Sequence, residues 1–278
     1  MPAFPRPVLL TLLLVVLMAV LLSQVERFFI FFPTSDIIMT PADLDVRYEE
    51  VFFETKGGRR LHGWFVPGPS SPGVTWLWFH GNGGNVSHRA DEIAQIHRRL
   101  GINVFIFDYQ GYGISDGRPT EQGTYQDSRA ALAYLKSRPD VDPQQIVYFG
   151  RSLGAAVAVE LALEHPPAGL VLVAPFASLR DMARIHYAAL PVASWLAGNR
   201  YNSLERIPNI QAPLLILHGN QDTIVPISQG EKLYQAANQP KQFLNLPGAG
   251  HDDTYIAGRD AYWNVLAEFL GQAAAGAR

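Results

Sequence analysis

The chain has 278 residues, 48% of them apolar, with a formal net charge of −3 and a pI near 6.2. That is enough apolar content for one large core, and no Gly/Ser-rich linker or charge block divides the chain after its N-terminal segment. Scattered basic residues argue against nucleic acid as the main partner, and the absence of cysteine excludes disulfides, a thiolate nucleophile and thiolate-bound metal.

From Pro7 to Val25 there are nineteen residues without a charge, dominated by Leu and Val. A helix of that length is about enough to cross a ~30 Å hydrocarbon core. A cleaved signal peptide is the rival reading, but the run ends in Leu21-Leu22-Ser23-Gln24-Val25, without a good small-x-small cleavage site. The aromatic cluster Phe28 to Phe32 that follows suits a membrane interface. The expectation is an uncleaved anchor and interfacial segment over residues 1–33, with one domain over 34–278. Arg6 before the span, against Glu26 and Arg27 that nearly cancel after it, biases the N-terminus inward. That puts the domain on the outer, extracytoplasmic face.

Beyond a polar linker, Tyr48 to Thr55 and Arg59 to Val66 read as two strands joined at Gly57-Gly58, a hairpin signal. The apolar run Val74 to Phe79 is typical of a buried strand. Further strands are expected near 102–107, 146–149, 170–173, 214–217 and 242–246, with helices near 87–100, 121–137, 153–165, 228–237 and 260–272. Strands alternating with helices predict a mostly parallel sheet of about eight strands, covered on both faces and opened by an antiparallel hairpin. The stretch between Pro175 and Pro213 interrupts the alternation and is too long for a plain connection. It reads as a small helical cap over residues 176–212, with two core-packing helices as the alternative.

In such sheets ligands bind beyond the carboxyl ends of the strands, and three loops there carry reactive side chains. Gly150-Arg151-Ser152-Leu153-Gly154 sits between a strand and an alanine-rich helical pattern, the context of a nucleophile elbow that lifts a serine onto a strained crest. Gly113-Ile114-Ser115-Asp116-Gly117 fits the same pattern, but it runs into Arg118-Pro119 and has no strand-to-helix context, so Ser115 reads as a loop residue. Asp222 lies four residues past the strand ending at His218, and His251 sits in a glycine loop after the strand ending at Leu246. The order Ser152, Asp222, His251 is that of a nucleophile, an acid and a base on successive strand-loop units. A serine hydroxyl needs an imidazole to take its proton, and the imidazole needs a carboxylate to set its tautomer. Asp252 and Asp253 are less suitable acids, since they share a loop with His251.

The glycine loop His80-Gly81-Asn82-Gly83-Gly84-Asn85 follows the strand that ends at Phe79. It nominates the Asn82 backbone N–H, or that of Gly83, as one oxyanion donor; the N–H of Leu153 at its helix start is the other. His80 reads as a residue that orients the loop, and the Asp108-to-Gly117 loop as the floor of the site. No His/Asp/Glu cluster has metal spacing, and neither dinucleotide nor P-loop glycines are present. The reading therefore calls for no metal and no cofactor.

Taken together, the His80–Asn85 loop, Asp108-Tyr109-Gln110-Gly111-Tyr112-Gly113, the Ser152 elbow, His218-Gly219 with Asp222, and Gly250-His251 resemble the α/β-hydrolase superfamily, and more closely its Bem46-like branch of membrane-anchored members. The likeness runs from about Tyr48 to the C-terminus. It implies the α/β-hydrolase fold and hydrolysis of carboxylic esters, acylglycerols, lysolipids or protein thioesters through an acyl-enzyme on Ser152. A serine peptidase of the same fold and a non-catalytic membrane-tethered scaffold are the alternatives.

Overall fold

Trp76, Leu77, Trp78 and Phe79 point alternately to two sides of one strand, and all four are fully buried. Leu77 and Phe79 share a core layer with Phe105, Phe107, Leu132 and Ala158. Trp76 and Trp78 share a second layer with Ile93, Ile96, Trp263 and Phe269. A strand with no polar face belongs inside a sheet that is covered by helices on both sides.

The computed structural model describes residues 29–69 and 73–276. Its main sheet has eight strands: β1 (Glu49–Glu54), β2 (Arg60–Val66), β3 (Thr75–Phe79), β4 (Asn103–Phe107), β5 (Ile146–Arg151), β6 (Gly169–Val173), β7 (Leu214–Gly219) and β8 (Lys241–Leu246). They lie side by side in the order β8-β7-β6-β5-β3-β4-β2-β1. Only β2 runs against its neighbours, pairing antiparallel with β1 and β4. The remaining pairs are parallel. From β3 the chain steps to β4 on one side, and β5 lies on the other, so a crevice opens past the carboxyl ends of β3 and β5.

Five helices cover the sheet: α1 (Ala90–Leu100), α2 (Glu121–Ser137), α3 (Leu153–Glu164), α6 (Ile227–Ala236) and α7 (Arg259–Gly276). Residues of α2, α3 and α6 fill one core layer and those of α1 and α7 the other. Helix α3, Leu-Gly-Ala-Ala-Val-Ala-Val-Glu-Leu-Ala-Leu-Glu, is buried on nearly every side, as expected for a helix that is apolar all round. Two shorter helices, α4 (Leu179–His186) and α5 (Pro191–Ala197), lie in the stretch read as a cap and line the cavity beside Ser152. Ser178 caps α4, its side chain accepting from the Asp181 amide at 3.1 Å.

The sequence reading needs one correction at the N-terminal boundary. Residues 29–33 do not stand apart from the domain: Phe31 is buried in the core, and Phe32-Pro33 pairs in parallel with Gly83-Gly84. The aromatic run that looked like an interfacial segment reaches the domain because its alternate side chains and its backbone both find partners there. The uncharged run Pro7–Val25, expected as a transmembrane helix, lies outside the described residues. Among the described residues no helix is long and apolar enough to cross a membrane.

Candidate active site

The elbow is built by close approach. A Cβ on Gly150 would meet the Gly154 carbonyl at 2.6 Å, and one on Gly154 would collide with the Phe79 and His80 carbonyls. Between them Ser152 has φ +51° and ψ −115°, a conformation that costs a non-glycine residue of order 1–3 kcal/mol. The crest is held by the Ser152 amide, which donates to the Val173 carbonyl at 2.9 Å. Leu153 follows as the first residue of α3, where an N–H has no intrahelical acceptor.

Asp222 and His251 meet as the sequence order implied. The Nδ1–H of His251 donates to Asp222 Oδ2 at 2.7 Å, since a carboxylate can only accept. The other oxygen, Oδ1, accepts from the Ile224 and Val225 amides at 2.9 and 2.7 Å. His218 Nε2 lies 3.6 Å from Oδ2 and donates to the Val225 carbonyl at 2.8 Å. Burial pushes the Asp222 carboxyl up, but His218, the charge and hydrogen bond of His251, and the Val225 amide outweigh it and hold the group below the usual carboxylate range. The loop neighbour of His251, Asp253, is engaged otherwise, accepting from the Gly250 amide at 2.6 Å.

Arg151 joins the histidine loop to the elbow. Buried beside Ser152, it pairs with the equally buried Glu92 at 3.0 Å and donates to the His251 carbonyl at 2.8 Å. Burial pulls the guanidinium down, and the Glu92 carboxylate more than restores it. Nothing in the pentapeptide marks this second residue as special; only its partners, 59 and 100 residues away, reveal its position. Arg151→Met should destabilise the fold by about 3–5 kcal/mol, because Glu92 is left buried and unpaired. Arg151→Met/Glu92→Gln should recover much of that stability yet keep a kcat up to about 100-fold low with KM nearly unchanged, because the histidine loop has lost its donor. Thermal melts beside steady-state kinetics on the single and double variants separate the two effects.

The glycine loop is braced from the N-terminal side. The Asn82 carbonyl accepts from the Phe32 amide at 2.9 Å and from the Tyr112 hydroxyl at 2.7 Å, and the Asn82 side chain donates to the Ile30 carbonyl at 2.9 Å. Thr34 ties in Gly84, Asn85 and Gly113. A chain starting at residue 29 should therefore keep turnover on short esters, whereas one starting at residue 35 should lose about tenfold or more, measurable by comparing the two truncations.

His80 is buried and donates from Nδ1 to the Gly81 carbonyl at 2.7 Å, consistent with an orienting residue. Asp108 lies under the loop, accepting from the Val86 amide at 2.9 Å, with His62 and His80 at 3.4 and 3.5 Å. Ser115 belongs to that floor: its hydroxyl donates to the Asp108 carbonyl and accepts from the His62 amide, both at 2.9 Å.

Ser152, Leu153 and Asn82 open onto a cavity of about 520 Å³. Its walls are apolar side chains of the cap, with Phe176 and Val225 from the domain and Phe29 and Ile30 from the N-terminal stretch. Among the described residues, His186, Tyr187 and Arg200 are the ionisable groups that line it. Among the described residues no group of acidic, histidine or cysteine side chains could hold a metal.

The strand order, the elbow after β5 and the cap beyond it define an α/β-hydrolase. The family described as "Serine aminopeptidase, S33" matches residues 71–205, a stretch that includes the glycine loop and Ser152 and stops before Asp222 and His251. The chain is 36% identical over 253 residues to the α/β hydrolase domain-containing protein WAV2 of Arabidopsis thaliana, covering 84% of this chain and 81% of that one. It is 33% identical over 242 residues to the protein bem46 of Schizosaccharomyces pombe, covering 84% and 80%. Among solved structures the esterase Pf2001 of Pyrococcus furiosus superposes with a TM-score of 0.73 at 24% identity, over 87% of this chain and 98% of that one. The chain belongs to the α/β-hydrolase family, in the branch of Bem46 and WAV2.

Proposed function

We propose that the protein is a serine hydrolase that cleaves carboxylic esters with an apolar acyl chain, with thioesters as the nearest alternative bond. Ser152 attacks the acyl carbon. His251, its Nδ1 held by Asp222, takes the serine proton at Nε2 and returns it to the leaving alcohol; water then hydrolyses the acyl-enzyme by the same steps. The backbone N–H groups of Asn82 and Leu153 are assigned to the oxyanion. The observation that carries this reading is the 2.7 Å Asp222–His251 bond, its loop tied through Arg151 to a serine that holds a strained φ of +51°. A binding scaffold has no use for that strain.

The apolar walls select the acyl chain. With a methylene taken as about a water's ~30 Å³ share of volume, 520 Å³ accommodates a chain of roughly a dozen carbons or more. An aminopeptidase would need a carboxylate to receive the substrate's ammonium, and among the described residues neither Asp nor Glu lines the cavity. The uncharged run Pro7–Val25 is assigned as a membrane anchor with the domain on its outer face, which keeps the site near lipid acyl chains. Fluorophosphonate labelling followed by an ester series of increasing acyl length tests the reading. Labelling at Ser152 and kcat/KM rising with chain length are expected, and a preference for amino-terminal peptides would overturn it.

A further inference from the structure

Large apolar side chains stand exposed on the cap and on the two segments beside it. Phe29, Tyr187, Leu190, Val192, Trp195 and Ile224 are all large, apolar and exposed, with Trp195 at 73% and Leu190 at 58%. All but Trp195 also line the cavity, so they form the rim of its mouth. Contiguous apolar surface of this kind marks a contact with another apolar body. The chain itself shows which body. Phe29 packs edge-to-face on Tyr187 with ring centroids 6.5 Å apart, and the nineteen-residue uncharged run ends at Val25, four residues earlier. Four residues reach at most about 14 Å, so the end of that run lies within that distance of Phe29 at the cavity mouth.

Charge agrees. Residues 179–202 hold three arginines, Arg180, Arg184 and Arg200, against one acid, Asp181, although the whole chain is at −3. Lys232 from α6 reaches the same acid at 2.9 Å. Basic side chains around an apolar patch with an exposed tryptophan match an anionic bilayer surface, where indoles prefer the headgroup level and cations the phosphates.

We infer that the cap is a bilayer-docking surface: Trp195, Leu190 and Val192 sit in the interface of an anionic membrane, and the acyl chain of a lipid ester passes from the membrane into the cavity without crossing water. The surface rests on the proposed anchor, and its link to turnover rests on the proposed ester hydrolysis. Drawing a long chain through water would expose apolar area that direct transfer keeps covered.

Trp195 is its own probe, since the other four of the five tryptophans, Trp64, Trp76, Trp78 and Trp263, are buried. The full chain is reconstituted into phosphatidylcholine–phosphatidylglycerol vesicles whose acyl chains are brominated, and tryptophan emission is compared with that in unbrominated vesicles. Bromolipid quenching that Trp195→Phe abolishes is expected. Trp195→Glu should lower turnover of a long-chain ester carried in the vesicle by about tenfold or more, and leave a short soluble ester unaffected. A membrane-bound chain without that quenching overturns the inference, whether Trp195 is then open to acrylamide or becomes shielded as protein concentration rises, the sign of a second copy on the patch. A chain that does not enter the vesicles overturns it too. Quenching without ester turnover in any form leaves the docking surface standing and removes the hydrolase reading instead.

Discussion

Ser152→Ala is expected to abolish ester hydrolysis and covalent fluorophosphonate labelling while the domain keeps its melting temperature or gains slightly. Among the described residues the hydroxyl has no hydrogen-bond partner to lose, and the crest is held by backbone: the Ser152 amide on the Val173 carbonyl and the Ala155 amide on the Ser152 carbonyl, at 2.9 and 3.0 Å. Ser115→Ala should give the opposite pattern. Its hydroxyl bridges His62 and Asp108 at 2.9 Å on each side in a buried floor, and removing it leaves the His62 amide unsatisfied, at about 1–3 kcal/mol, with labelling intact. Mass spectrometry of the labelled peptide decides the pair of pentapeptides directly. Label on Ser115, or a Ser152→Ala protein that still labels, would falsify the assignment.

Asp222→Asn should lower kcat by about 10⁴-fold, and the local geometry says why no rotamer rescues it. The Ile224 and Val225 amides both donate to Oδ1, so the amide oxygen must take that place. Its NH₂ then faces the Nδ1 of His251, where Oδ2 stood at 2.7 Å. A donor there forces Nδ1 to accept and puts the ring proton on Nε2, the nitrogen that must receive the serine proton. His218, 3.6 Å from the same oxygen, meets the same mismatch. Asp252→Asn and Asp253→Asn leave this arrangement alone and should cost little turnover. A steady-state comparison of the three variants checks it, with Asp253→Asn as damaging as Asp222→Asn being the outcome against.

The same carboxylate shapes the acid side of stability. Because its folded pKa lies below the unfolded value of about 4, its contribution is present above that value and lost as pH falls through the folded one. Thermal melts taken downward from about pH 5 should fall less steeply for Asp222→Asn than for the parent chain.

The fold was legible because its signals are local. The expected helix at 121–137 is the observed one, and each expected strand is present within about two residues, the usual margin at element ends. Buried parallel strands read as short apolar runs, and their turns announce themselves through glycine and proline, so period and punctuation suffice. The choice of Ser152 over Ser115 followed from the same local logic, since a strand precedes one and a loop encloses the other. Arg151 and Glu92 gave no such signal, and His218 gave none of its place beside the Asp222 carboxylate. An arginine, a glutamate and a histidine each read as ordinary until the fold sets them together in the interior.

The N-terminal boundary shows the opposite error. Phe28 to Phe32 matched an interfacial composition, and composition carries no information about which aromatic turns inward. The brace from Ile30 and Phe32 to Asn82 spans about fifty residues, and such a contact leaves no periodic trace.

The sequence by itself therefore determined what depends on neighbours along the chain: the alternating elements, the sharp elbow that only small flanking residues permit, and the chain order of serine, acid and base. The tertiary structure alone decided what depends on neighbours in space: which nitrogen of His251 meets Asp222, which carbonyl Arg151 holds, and that Phe29 and the cap share one cavity mouth. Local preferences act through steric and turn energies within a few residues, whereas these contacts exist only once the sheet has brought distant loops to its carboxyl edge.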